Sequence, residues 1–97
     1  MNEPVFIWDP VKERENIRKH RITFDEAKYV FRDDDGIRIF DDEHSEDEDR
    51  FILIGLGGKG RLLVVVHCFR NSDNEIRIIS ARKAVPNEIR QYTRRKL

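Results

Sequence analysis

Two short stretches of this chain hold the side chains with the most chemistry in them. Asn16-Ile17-Arg18-Lys19-His20 sets three basic residues side by side. Histidine is the side chain whose ordinary charge change falls between about pH 5 and 8, so a proton can be moved there beside cations that hold an anion. The cluster also has a plainer account, because cationic side chains favour a helix C-terminus. The second stretch is Arg77-Ile78-Ile79-Ser80-Ala81-Arg82-Lys83-Ala84. Strand alternation puts Arg77, Ile79, Ala81 and Lys83 on one face and Ile76, Ile78, Ser80 and Arg82 on the other. An arginine that shares a face with two isoleucines must be paired or open to a groove. Glu88 and the acids of segment 41–49 are its candidate partners, and such a pair would be purely structural.

Other chemistries find less support. His44, His67 and Cys68 invite a metal reading, yet none has ligand-type spacing with another, and His67 and Cys68 point to opposite faces of a strand. The acidic run from Asp41 to Asp49 lacks the glycine and ligand order of a calcium-binding EF-hand loop and is expected as a solvated hairpin loop. Gly55, Gly57, Gly58 and Gly60 are not followed by Lys-Ser or Lys-Thr and lead into a strand, which excludes a phosphate loop. No metal and no cofactor are expected.

Local sequence signals lay out the elements that must position these residues. Val5 to Trp8 is a short apolar run that stops at Asp9-Pro10, a capping aspartate followed by a proline suited to a first helical turn. A helix over 10–20 follows, weakly apolar because only Val11 and Ile17 are hydrophobic. Thr23-Phe24-Asp25-Glu26 reads as a capping box, with the glutamate reaching back to close it. It opens a second helix whose stripe is Phe24, Ala27, Val30 and Phe31, ended by Asp33-Asp34-Asp35-Gly36. The period then alternates, predicting strands over 37–40, 50–56, 61–69 and 75–83. The separators Gly57 to Gly60 and Asn71 to Asn74 favour hairpins. Leu62 to Val66 is apolar at every position, as in a central strand covered on both faces. Pro86 opens a last helix with Val85, Ile89 and Tyr92 on one side. The expected architecture is a single α+β domain over residues 1–97: a mainly antiparallel sheet of four or five strands, N-terminal helices and a C-terminal helix.

Composition bounds the function. With 97 residues, 38% hydrophobic and 39% charged, the core is thin and no apolar run reaches the length of a membrane span. Met1 to Pro10 holds Glu3 and Asp9 where a signal peptide needs a basic start and an apolar run, so a cytoplasmic protein is expected. The lone Cys68 fits a reducing compartment. The net charge of zero hides segregation: residues 1–32 carry +1, residues 33–49 carry −9 and residues 50–97 carry +8. Such a field attracts a polyanion or a complementary protein surface.

Trp8-Asp9, Lys12, Asn16, Lys19-His20, Phe24 with Ala27, Phe31-Arg32-Asp33, Arg50 with Gly55, Gly60-Arg61 and the Arg77 to Ala84 stretch with Glu88, Arg90 and Tyr92 together resemble the BrnT family. The resemblance covers nearly the whole chain, and Arg77 to Ala84 is its most specific part. BrnT proteins are ribonuclease toxins of type II toxin–antitoxin pairs with a fold similar to RelE and ParE. The resemblance implies an RNA substrate and a BrnA-type antitoxin partner that also binds DNA, so operator DNA is met only through that partner, and no membrane is involved. The chain departs from the family where Arg21 replaces the usual glycine after Lys-His, and where Asp34 stands in place of a frequent proline. Arg21 makes the helix–helix turn less permissive.

Metal-independent RNA cleavage needs a base for the 2′-hydroxyl, an acid for the leaving oxygen and cations for the charge that builds at phosphorus. With the resemblance in hand, His20 becomes the candidate acid or base. Arg61, Arg82 and Lys83 are the candidate phosphate-stabilising cations, with Arg82 the larger contributor and Arg61 aiding it across the sheet. Lys19, Arg77 and Tyr92 are the candidate RNA-binding residues, Tyr92 as a stacking platform. The rival from another class is a non-catalytic module that docks on protein or DNA through its charged halves.

Overall fold

The computed structural model describes residues 3–45, 48–70 and 74–96. Its elements run β1 (Val5–Ile7), α1 (Pro10–His20), α2 (Phe24–Ala27), a 3-10 helix (Lys28–Arg32), β2 (Ile37–Phe40), a 3-10 turn (Asp42–His44), β3 (Phe51–Leu56), β4 (Leu62–Arg70), β5 (Glu75–Lys83) and α3 (Pro86–Lys96). Residues 71–73 of the second expected hairpin turn, and 46 and 47 of the acidic loop, lie outside the described residues.

Capping chemistry sets the helix starts. The Asp9 carboxylate accepts the Val11 N–H at 2.9 Å with Pro10 in the first turn, and the Thr23 hydroxyl accepts the Glu26 N–H at 3.0 Å. The expected reciprocal half of the capping box does not form, because the Glu26 carboxylate is committed to Arg61. The second helix is also shorter than its apolar stripe predicts. It tightens into 3-10 geometry from Lys28, where the Glu26 carbonyl accepts the Gly58 N–H at 3.1 Å.

The sheet has five strands in the order β1-β5-β4-β3-β2. Three pairings are antiparallel, and β1 joins β5 in parallel, with Val5 opposite Glu75 and Ile7 opposite Arg77. The sheet is therefore mixed. β2 to β5 are antiparallel neighbours in chain order, as their separators and the acidic loop after β2 predict, whereas β1 lies in parallel on the outer edge of β5. β4 is central: Leu63 and Val65 face a layer made by Ile22, Phe24, Ala27 and Val30, while Val64 packs with Ile54 and Tyr92 on the other side.

One irregularity re-aims half of β5. Ser80 pairs with Val66 while Ile78 pairs with His67, so Ile79 is an extra residue bulged out of the ladder. Simple alternation across 76–83 is thereby overturned. Ala81 joins Ile78 in the helix-covered core, and Ser80 and Arg82 turn to the side that Arg77 already faces.

Because β1 ends at Ile7, the edge of β5 beyond Arg77 has no strand partner, and α1 covers it. Asn16 completes the join. Its carboxamide donates to the Ala81 carbonyl at 2.8 Å and the Ile22 carbonyl at 2.9 Å, and accepts the Ala81 N–H at 2.9 Å, all buried. Leaving such groups unpaired costs about 1–3 kcal/mol each. Asn16→Ala is expected to lower unfolding free energy by about 2–4 kcal/mol, read from the urea midpoint at constant m, and Asn16→Asp, which cannot donate to either carbonyl, fails to rescue it.

Candidate functional site

With α1 fastened along β5, residues 12, 15, 16, 19 and 20 fall on one side of the helix, as their three- and four-residue spacing requires. A groove of about 350 Å³ runs between helix and strand, lined by Val11, Lys12, Glu15, Asn16, Lys19, His20, Ile79 and Ser80. Asn16 is spent on the backbone. Glu15 is paired with Arg18 at 2.7 Å, and that hydrogen bond holds its carboxyl below the usual carboxylate range. Lys12, Lys19, His20 and the Ser80 hydroxyl remain as the groove's working groups.

The bulge extends this side of the sheet into a basic face. Arg77 pairs with Cys68, Ser80 with Val66 and Arg82 with Val64, alternate residues of β4 that point the same way. Arg70 lies on that side too, and with Arg77, Ile7, Trp8 and Asp9 it lines a second groove of about 260 Å³.

Arg82 is held at the far end by Glu88 of α3. Its guanidinium donates from Nη1 at 2.9 Å and from Nη2 at 2.8 Å, and the same carboxylate accepts the Val85 N–H at 2.8 Å. The Arg82 hydrogen bond lowers the Glu88 pKa, and the Glu88 carboxylate raises that of Arg82. This is the structural pair that the sequence offered as the plainer alternative. The Arg82 side chain is still 41% exposed, so the fork is fixed without being hidden.

The remaining expected site residues are placed elsewhere. Arg61 donates to Glu26 at 2.9 and 2.7 Å, and that carboxylate is 3% exposed. It stands in the α1–α2 layer, not beside Arg82, because the buried acid that claims it sits on the other face. Lys83 pairs with Leu63 and so leaves the sheet on that same helix-covered side. Tyr92 offers no stacking platform. Its ring is buried on Ile54 and Val64, and its hydroxyl donates to Asp33 at 2.6 Å. Burial, helped by that hydrogen bond, pushes the Tyr92 hydroxyl up to about 12. Burial also works against the Asp33 carboxylate. The bonds it accepts from Tyr92, Leu56 and Asp35, with Lys96 nearby, outweigh that and keep its pKa low. Lys12, Ser80 and Arg70 were not assigned site roles from sequence. Lys12 is one helical face with Lys19, a signal present at seven-residue spacing, whereas Ser80 and Arg70 depend on a bulge that no residue type announces.

His44, His67 and Cys68 do not converge, and no group of three His, Cys, Asp or Glu side chains among the described residues is placed to hold a metal ion. His67 is fully buried among Phe31, Phe51 and Phe69, with ring centroids 4.7, 6.0 and 5.4 Å away. Arg21, where the turn out of α1 needs a left-handed residue, adopts φ 60° itself and donates its N–H to the Ile17 carbonyl at 2.9 Å.

Comparison with known proteins adds two findings. Residues 8–88 match the family described as "Ribonuclease toxin, BrnT, of type II toxin-antitoxin system". A crystal structure of the Brucella abortus ribonuclease toxin BrnT, solved at 1.1 Å, superposes with a TM-score of 0.62 at 20% identity, covering 88% of this chain and 99% of that one. The likeness establishes the shared fold. No curated protein sequence matches the chain.

Two outcomes follow from the buried histidine and from the turn that ends α1. Burial drags the His67 pKa down to about 4, whereas an unfolded histidine takes up its proton near pH 6.5. Between those values the unfolded chain binds more protons, so stability falls as pH drops through that window. His67→Phe is expected to flatten that part of the stability–pH curve in denaturant titrations. Arg21→Gly removes a left-handed penalty larger than the entropy glycine adds, and should raise unfolding free energy by about 0.5–1 kcal/mol in the same assay.

Proposed function

The chain belongs to the BrnT family of ribonuclease toxins of type II toxin–antitoxin systems, and from that premise we propose that it cleaves RNA on the basic face between α1 and α3, without a metal ion. The observation that carries this reading is the groove where Lys12, Lys19 and His20 of the helix meet Ser80, with Arg77 and Arg82 on the same side of β5 as that serine. Three acids near this face are engaged by cations: Glu15 by Arg18, Glu88 by Arg82 and Glu48 by Arg70 at 3.3 Å. A polyanion entering the groove meets Lys12 and Lys19.

In the proposed reaction the RNA backbone lies along β5. Lys19, Lys12 and Arg77 hold phosphates, and Arg82, oriented by Glu88, donates to the non-bridging oxygens as negative charge builds on phosphorus. A base takes the 2′-hydroxyl proton, O2′ attacks the adjacent phosphorus, and the 5′-oxygen leaves with a proton from an acid, which yields a 2′,3′-cyclic phosphate. His20, at the open end of α1, fills the acid or base role. Arg61, Lys83 and Tyr92 have no part in the chemistry. Arg61 and Tyr92 tie α2 and α3 to the sheet, and Lys83 stands on the opposite face. The resemblance to RelE and ParE extends this reading to the fold's wider relatives. In the cell the toxin works in the cytoplasm, and a BrnA-type antitoxin covers it and carries the contact with operator DNA.

The test uses the purified chain, free of antitoxin, and a labelled single-stranded RNA. The parent protein is expected to cleave in EDTA and to leave cyclic phosphate ends. Arg82→Ala should lower the rate about 10²-fold or more, the scale of one lost transition-state contact, and His20→Ala should flatten the pH–rate profile. Glu88→Gln, which keeps Arg82 but loosens its aim, should fall between. If His20→Ala and Arg82→Ala proteins are folded by circular dichroism and cleave as the parent does, the site is misassigned.

A further inference from the structure

The far edge of the sheet, β2, carries features that the basic face does not use. The Asp41 N–H bonds to the Arg50 carbonyl at 2.8 Å, which fixes the antiparallel alternation: Ile37 and Ile39 spend their backbone groups on β3, and those of Arg38 and Phe40 point to the open side. Open edges are usually blunted by charge, proline or a bulge. This four-residue edge has no proline and no bulge, and Arg38 is the one charge within it. Ile39 is 41% exposed and Phe40 46% exposed, and the one edge cation, Arg38, folds away over the Phe69 ring at 5.3 Å. The opposite edge strand, β1, is three residues long and directly preceded by Pro4. Next to β2 the aromatic rings of Phe51 and Phe69, with Arg38 and Asp49, line a groove of about 470 Å³. Phe40 and Phe69 each stand edge-on to Phe51, at 5.6 and 5.4 Å.

Charge decides what fits this edge. Asp33, Asp34 and Asp35 precede β2, and Asp41, Asp42 and Glu43 follow it. A second copy laid antiparallel would set the acids after one β2 against the acids before the other, and laid parallel would set like against like. A polyanion is repelled in the same way. The fitting occupant is an extended protein segment, apolar at its centre and basic at both ends.

We infer that β2 accepts an added strand from the antitoxin, a lysine- or arginine-flanked segment whose backbone pairs with Arg38 and Phe40 and whose side chain on that side enters the Phe51–Phe69 groove. The inference rests on the toxin–antitoxin reading above and adds where the partner binds and with what chemistry. It places this contact on the side of the molecule away from α1, so the segment anchors the antitoxin without needing to enter the RNA groove.

The experiment takes the complex purified after coexpression with the neighbouring antitoxin gene, and measures amide hydrogen exchange by NMR in free and bound toxin. The Arg38 and Phe40 amides should exchange fast in the free chain and slow at least tenfold in the complex, while Ile37 and Ile39 are slow in both. An Asp34→Lys, Asp42→Lys, Glu43→Lys triple variant, changed only at exposed positions, should weaken the complex about tenfold or more and reduce its salt dependence, with RNA cleavage by the free toxin unchanged. If the complex forms but Arg38 and Phe40 stay unprotected and the triple variant binds as the parent does, the strand addition is overturned and the toxin–antitoxin reading stands. If no complex forms with the parent chain, both fall together. Concentration-dependent protection of the same amides in the free chain would put a second copy on the edge and overturn the inference as well.

Discussion

The carboxamide of Asn16 stands in for a strand that is not there. β5 runs past the end of its parallel neighbour, and an edge left bare at that point would expose the Ala81 N–H and carbonyl beneath a helix, out of reach of water. A side chain with one donor pair and one acceptor on the same plane satisfies both and ties in the Ile22 carbonyl besides. Helix, turn and strand are thereby locked in one register. Everything on the basic face follows from that lock, since Lys12, Lys19 and His20 reach the groove only if α1 lies at this height along β5. α1 itself has little apolar surface to hold it there, which is why a polar bond does the work that packing does elsewhere.

The same economy appears in the other helical segments. α2 is pinned to the β3–β4 hairpin by Glu26, through Arg61 and through the Gly58 amide. α3 is pinned twice, by Tyr92 to Asp33 and by Glu88 to Arg82 and the Val85 amide. In a chain of 97 residues with as much charge as hydrophobicity, buried and half-buried carboxylates take over positioning from a small core. Such bonds contribute modestly to stability compared with the apolar layers. Their value lies in direction, because each fixes a side chain's aim as well as its position.

Signals that act within a few residues were legible in the sequence. Asp9-Pro10 marks the start of α1, the 75–83 strand has the bounds its alternation implies, and the uninterrupted apolar run of β4 does mark the middle strand. What was not legible depends on partners distant along the chain. Nothing near Arg61 says that Glu26 will claim it, nothing near Tyr92 says that Asp33 will, and the parallel pairing of β1 requires knowing where β5 ends up. The cluster of Lys19 and His20 was visible because it is local to one helix. Its meeting with Ser80, and the shared face of Arg77 and Arg82, were not, because alternation without the bulge gives the opposite answer.

That bulge has a consequence for how the family's chains can change length. Arg82 follows Arg77 at an odd offset, which alternation would turn to the opposite face, and the two still look the same way only because Ile79 is bulged out of the ladder. The loss or gain of one residue between them would reverse the aim of everything from Ser80 onward, moving Ala81 out of the core and Arg82 into it. The length of this segment is therefore constrained along with the identity of its buried residues, Ile78 and Ala81. Among relatives, insertions and deletions should be scarce between 77 and 82 and collect instead in the turns that join the strands.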